Sequence, residues 1–368
     1  MNTVTGHLSE TSMDIDQLLT RAPREQCRAL RASGLRDMPT VLALLRRIDA
    51  VRHDDPATAA RLSHLVATVI APRLEDETER ARVFCRALSL NAASRRGEGD
   101  VAGAARALRC GLRVARRRGL ADITAELLQR SGYVLADRER YAEALVLLRE
   151  ALDIHIECCH RGGAGKALVD QGTVLLLAGD DRGAVLAFER ALRFLPTNDE
   201  RYTRGRLAAY QNLALAFRRL GDLDASEACL DTAVRAFRGE RGACWAKLVW
   251  QRGCLAHARG ELAAAEQLFR QATEAINRAN DPELPLVSLD LIKCLLDRGR
   301  LREAAQIAKG MAALLMTYRG NHIAEAAILA FARAALEGKL TQRLAIQVQA
   351  VLRGRSRAAS SEELSTAA

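Results

Sequence analysis

One phrase of small and apolar residues recurs along this 368-residue chain. A glycine, or a residue in its place, is usually followed by an acid. A small residue comes five places after the glycine, an apolar one four later, and usually another small one three beyond that. Such spacing lines one face of a helix. Five copies are clear: Gly99-Asp100 with Ala104, Leu108 and Gly111; Gly179-Asp180 with Ala184, Phe188 and Ala191; Gly221-Asp222 with Ser226, Leu230 and Ala233; Gly260-Glu261 with Ala265, Phe269 and Ala272; Gly299-Arg300 with Ala304, Ala308 and Met311. A sixth copy lacks the glycine and reads Glu139 with Ala144, Leu148 and Ala151. Anchors at 99, 139, 179, 221, 260 and 299 lie 40, 40, 42, 39 and 39 residues apart. A degenerate earlier copy is placed at Asp54 with Ala59.

The phrase predicts a helical hairpin, with the glycine ending one helix in a tight turn and the small residues letting the second helix approach closely. Seven positions upstream of four anchors stands another small residue, Gly132, Gly172, Ala214 or Gly253, at a second expected close approach. Each hairpin exposes an apolar face that stacking on its neighbours buries. Composition agrees with helix: 49% apolar residues, 4% aromatic and seven prolines, with Ala, Leu, Arg and Glu abundant.

The pattern resembles the tetratricopeptide repeat family. The best copy spans 165–198, where Gly172, Ala184, Phe188, Ala191 and Pro196 fill the family's three small positions, its bulky one and its proline. The resemblance covers 79–337, and a period near 40 is similar to the longer-helix repeats of bacterial regulators, with Arg161–Leu168 read as their hairpin linker. It implies an all-α, right-handed superhelical solenoid of about six or seven antiparallel hairpins. Residues 14–78 are read as an N-terminal helical cap, 79–320 as the array, and 321–353 as C-terminal capping helices; 1–13 and 354–368 are read as disordered.

The resemblance also implies a concave groove lined by the first helix of each hairpin. Its ligand positions fall on Arg86, Arg96, Glu126, Gln129, Arg130, Tyr133, Lys166, Asp170, Thr173, Gln211, Asn212, Arg218, Arg219, Lys247, Trp250, Gln251, His257, Asp290 and Lys293. Amides, cations and one Trp suit an extended or helical peptide, with Trp250 as a candidate anchor. The alternative is that these residues are simply each first helix's exposed face. The clamp by which some family members hold C-terminal carboxylates is matched only at Asn212 and Lys247, while Val169, Thr173 and Gln251 stand at its other positions.

Charge changes this picture little. The formal charge is +10, and 50 of the 55 cations are Arg. Arg106, Arg109, Arg113 and Arg116 make a stripe opposite Ala104, Leu108 and Ala115, read as a solvated face or a phosphate-binding one. Nine unpaired-looking cysteines and the lack of a long apolar run point to a reducing, cytoplasmic setting. His155, Cys158 and Cys159 share a helical face at a spacing that suits zinc, but no second ligand pair stands nearby; the competing reading has the cysteines packed against the next repeat. Gly165-Lys166 fails as a phosphate loop, with His160 at the first glycine position and Ala167 at the hydroxyl. The expectation is therefore a non-catalytic scaffold or sensor holding a protein or peptide, without metal or cofactor. Two alternatives are a peptide-responsive regulator acting through a partner and an RNA-associated protein using the Arg stripe.

Overall fold

Acidic residues start many of the helices. The side chains of Asp37, Asp55, Asp76, Asp100, Asp180 and Asp222 each accept a hydrogen bond from the backbone N–H three residues on, satisfying a donor that the helix start leaves without a partner. The acid of the repeated phrase is thus an N-cap in three of its copies. Helix ends are as regular. Gly99, Gly119, Gly179, Gly221, Gly260, Gly299 and Gly338 take left-handed φ values between 62° and 85°, and Glu139 and Cys159 take 58° and 53°. The next residue's N–H returns to the carbonyl five back at Asp100, Leu120, Arg140, His160, Asp222, Glu261, Arg300 and Lys339. This is the Schellman closure. Glu139 adopts the turn without glycine, and Gly119 and Cys159 carry it into the links between hairpins, so left-handed residues fall at 99, 119, 139, 159 and 179.

The computed structural model describes residues 15–33, 35–52, 55–237, 243–278, 283–315 and 322–352. Asp54 and the segments 1–13 and 354–368 lie outside them; the cap at the earliest copy is Asp55, beside a fully buried Ala59. The described residues form α-helices with short π and 3-10 turns, and no strand. They divide into two units, Met1–Gly179 with Arg193–Pro196, and Asp180–Leu192 with Thr197–Ala368.

The first unit contains α1 (Ile15–Thr20), α2 (Pro23–Ala32), α3 (Met38–Val51), α4 (Pro56–Leu65), α5 (Glu77–Gly97), α6 (Val101–Arg117), α7 (Ala121–Ala136), α8 (Tyr141–Glu157) and α9 (Arg161–Ala178). α4 runs on through a π turn at Val66–Ile70. Leu30, Val41, Leu44, Ile48, Leu62 and Ile70 join it to α2, α3 and α5 in one core. Arg73 ties this bundle by donating to the carbonyls of Leu30, Arg31 and Ser33, the last acceptors around the end of α2. Hairpins α5/α6 and α7/α8 follow, and the first helices α5, α7 and α9 also pack side by side. Residues Arg161–Leu168 are the opening turns of α9 and not a linker. Their glycines serve close packing: a Cβ on Gly163 would sit 2.5 Å from His155 Nδ1, and one on Gly165 would sit 2.6 Å from Leu195 Cγ.

The second unit contains most of α10 (Asp181–Phe194), then α11 (Thr203–Arg219), α12 (Leu223–Ala236), α13 (Ala243–Ala258), α14 (Leu262–Arg278), α15 (Leu284–Asp297), α16 (Leu301–Leu315), α17 (His322–Glu337) and α18 (Gln342–Leu352). Hairpins α11/α12, α13/α14 and α15/α16 stack through their neighbours, and α17/α18 close the unit. The small and apolar residues of the phrase that follow the turn are buried throughout both units. The upstream small residues sit at true close approaches: a Cβ on Gly132 would meet Leu148 Cγ at 2.9 Å, and one on Gly253 would meet Phe269 Cδ1 at 2.8 Å. Ser226 fits a small position because its hydroxyl donates to Ala214 O at 2.9 Å. Packing of this kind, repeat on repeat, places the first helices side by side and brings their polar residues together.

Candidate functional site: the first-helix faces

On the first helices, polar residues 37 to 41 positions apart meet. In the first unit Gln129 Nε2 donates to Asp170 Oδ2 at 2.7 Å, and Tyr133 Oη donates to Asp170 Oδ1 at 2.5 Å. Gln129 Oε1 faces His155 Nε2 at 3.2 Å, which makes that nitrogen the protonated one. Arg96 pairs with Asp137 at 2.5 and 2.9 Å and lies 5.3 Å from the centre of the Tyr133 ring. Ser89 donates to Glu126 at 2.7 Å, and Arg130 pairs with Glu126 at 3.3 Å.

The second unit repeats the arrangement with different side chains. Trp250 Nε1 donates to Asp290 Oδ2 at 2.8 Å, where Trp250 and Asp290 hold the repeat positions of Gln129 and Asp170. His257 Nε2 lies 2.8 Å from Asp297 Oδ2, matching Arg96 and Asp137. Lys247 pairs with Glu283 at 3.2 Å, and Lys293 with Asp290 at 2.6 Å. The first three of these pairs are staples between successive repeats, whereas Lys293–Asp290 lies within α15.

That placement corrects part of the expected groove. Trp250 is 6% exposed and packs in the core with Val249, Leu291 and Ile292 around it, so it is no open aromatic anchor. Asp290 is equally buried, at 5%. The physical reason is that the indole N–H finds its acceptor one repeat away, which lets the ring leave water without an unmet donor. Tyr133, Asp170, Lys293 and His257 are half-buried and spent on neighbours in the same way. Lys166 is exposed, and Gln211, Asn212, Arg218, Lys247 and Gln251 are half-buried on α11 and α13. The staples were visible in principle as a donor and a carboxylate one period apart.

Electrostatics follow the burial. Asp170 is pushed up to about 6, chiefly by burial, against the pull of Tyr133 and Gln129. Burial, then the Asp170 charge, holds the Tyr133 hydroxyl protonated well above its ordinary value. His155 is pressed down to about 4, first by burial and then by the positive charge of His160 and Lys166.

The His155 cluster does not converge. His155 turns inward and contacts the His160 ring edge-on at 5.1 Å, while Cys158 and Cys159 stand exposed in the turn and are not packed against the next repeat. Among the described residues no group of three or more His, Cys, Asp or Glu is placed to hold a metal ion. The Arg stripe is exposed as expected: Arg106, Arg109 and Arg113 face solvent, and Arg116 pairs with Glu150 on α8 at 2.6 Å. Arg109, Arg113, Arg116 and Arg117 line a shallow depression with Leu112. Among the described residues no helix is long and apolar enough to cross a membrane.

Tetratricopeptide repeat models match residues 123–197 and 207–238. No curated protein matches the chain. Among solved structures, one of the APC/C hetero-tetramer Cut9–Hcn1 aligns with a TM-score of 0.54 at 14% identity, covering 91% of this chain and 61% of that one. This chain therefore spans about three fifths of that relative, and the likeness concerns the fold alone. A tetratricopeptide repeat protein from Parabacteroides merdae aligns at 0.47 and 14% identity, over 77% of this chain and 96% of its own. BtubC (BKLC) from P. vanneervenii aligns at 0.48 and 19% identity, over 61% and 91%. The two matched stretches, 123–197 and 207–238, are thus tetratricopeptide repeats by sequence, and they fall inside the capped hairpins of period near 40.

Proposed function

We propose that this chain is a non-catalytic scaffold that holds a protein or peptide partner along the faces of its first helices. Tetratricopeptide repeats in general mediate protein–protein interaction. The observation that carries the reading is the band of half-buried polar side chains on α11 and α13, formed by the amides of Gln211, Asn212 and Gln251 with the cations Arg218 and Lys247. Side-chain amides both donate and accept, so they suit the backbone of an extended or helical segment. In the first unit Glu126, Arg130, Lys166 and Thr173 offer a second such band of mixed charge. A peptide-responsive regulator acting through a partner would use the same binding event.

Affinity capture from the source cell tests this reading. The variant Gln211→Ala with Asn212→Arg and Gln251→Ala should keep its helical circular dichroism and lose partners that wild type retains. A folded variant that retains every partner refutes the reading. The exposed arginines of α6 favour nucleic acid as the second reading. Binding through them should weaken roughly a hundredfold or more between about 50 and 200 mM salt, as counterion release requires.

A further inference from the structure

In the second unit, α12 and α14 each pack between the first helix of their own pair and that of the next. α18, also the second helix of a pair, packs across α15 as well as on α17. The face it turns to α15 combines an apolar ridge, Ala345 and Val348, with two amides seven residues apart. Gln342 Nε2 donates to Lys293 O at 2.6 Å and to Asp297 Oδ1 at 2.7 Å. Gln349 Nε2 donates to Asp290 Oδ1 at 2.9 Å, and its Oε1 accepts from Lys293 Nζ at 2.8 Å. Asp290 and Asp297 are the acceptors that Trp250 and His257 already use. Four residues at the family's ligand positions, Trp250, His257, Asp290 and Lys293, therefore form a polar seam beneath one amphipathic helix of the same chain.

Amide hydrogen bonds exchanged for water gain little net stability, about 1 kcal/mol each, yet they fix register strictly. A seam of that kind suits a helix that docks in one register and comes away more readily than an apolar cap. We propose that α18 is an internal ligand: it occupies the partner-binding face of α15, and it yields that face to a partner's amphipathic helix with two side-chain amides seven residues apart flanking a small-residue ridge. The proposal rests on the scaffold reading above and supplies its regulation. Opening would swing α18 away at the Gly338 turn, whose left-handed φ of 70° marks the junction with α17.

The test uses the full chain carrying Trp245→Phe, so that Trp250 is its one tryptophan. In this chain, native-state hydrogen exchange in low urea should find 342–352 opening while 284–315 stay closed. Adding Gln342→Glu and Gln349→Ala sets a carboxylate against Asp297 and removes the bonds to Asp290 and Lys293. Exchange in 342–352 should then rise about tenfold or more with α15 and α16 unchanged, and Trp250 emission should shift to the red. A synthetic peptide of residues 339–352, added in trans, should reverse that shift. The proposal is overturned if α18 opens only together with α15 and α16, if its exchange is unmoved by the substitutions, or if the peptide leaves the emission shifted. None of these readouts needs an outside partner, so failure here leaves the scaffold reading to the capture experiment.

Discussion

Asp170 and His155 sit one hydrogen bond either side of Gln129 and titrate in opposite senses. Asp170, raised from 3.8 to about 6, holds its proton more tightly folded than unfolded. Its contribution to stability is fully present below about pH 4 and is lost as the pH rises through about 6. His155, lowered from 6.5 to about 4, holds its proton less tightly when folded, so its contribution is present above 6.5 and is lost as the pH falls toward 4. The two slopes oppose each other between these limits. Urea denaturation across the range should therefore show Asp170→Asn losing stability on acidification and His155→Gln gaining it; slopes of the same sign in the two variants would contradict the assignment. Shape matters as much as charge at this scale. Gly253→Ala would push a methyl to within 2.8 Å of Phe269, and a thermal melt should register a loss of about 1–3 kcal/mol.

At the scale of the element, helix ends and inter-repeat staples divide the work. Asp222→Ala removes the acceptor for Ala225 N–H and should cost about 1 kcal/mol, measured by chemical denaturation. The Arg96–Asp137 pair is partly exposed and should matter little, about 0–1 kcal/mol in a double-mutant cycle. Trp250→Phe is different, because it keeps the ring buried and strips Asp290 of an N–H donor; about 1–3 kcal/mol should be lost. The turns were largely legible in the sequence, since a left-handed residue selects glycine and the period then places Glu139 without one. Gly119 and Cys159 escaped notice because the phrase was anchored once per 40 residues, whereas the closure recurs every 20 in that stretch. The acid after the glycine was visible, but its role as a cap is a matter of geometry. The staples were hidden more deeply. Family positions describe a residue by its own helix, and Trp250 is buried by a partner 40 residues away. The seam under α18 breaks the period altogether, joining Gln349 to Asp290 across 59 residues.

For the molecule as a whole, stability in each unit is built from neighbour on neighbour, with bundled helices at α1–α4 and paired helices at α17/α18 beside the regular hairpins. Two kinds of surface remain. The first helices carry amides and mixed charge, and α6 carries exposed arginines of one sign. A net charge of +10 draws acidic macromolecules to either, so affinity alone does not separate them. Location does. Hydroxyl-radical footprinting of the chain with its captured partner, at about 150 mM salt where exposed charges are screened beyond about 8 Å, reads out which side chains the partner covers. The account predicts protection at Gln211 and Asn212 on α11 and at Gln251 on α13, with Arg106, Arg109 and Arg113 as reactive as in the free chain. Protection of those arginines, with the first-helix residues unchanged, would contradict it.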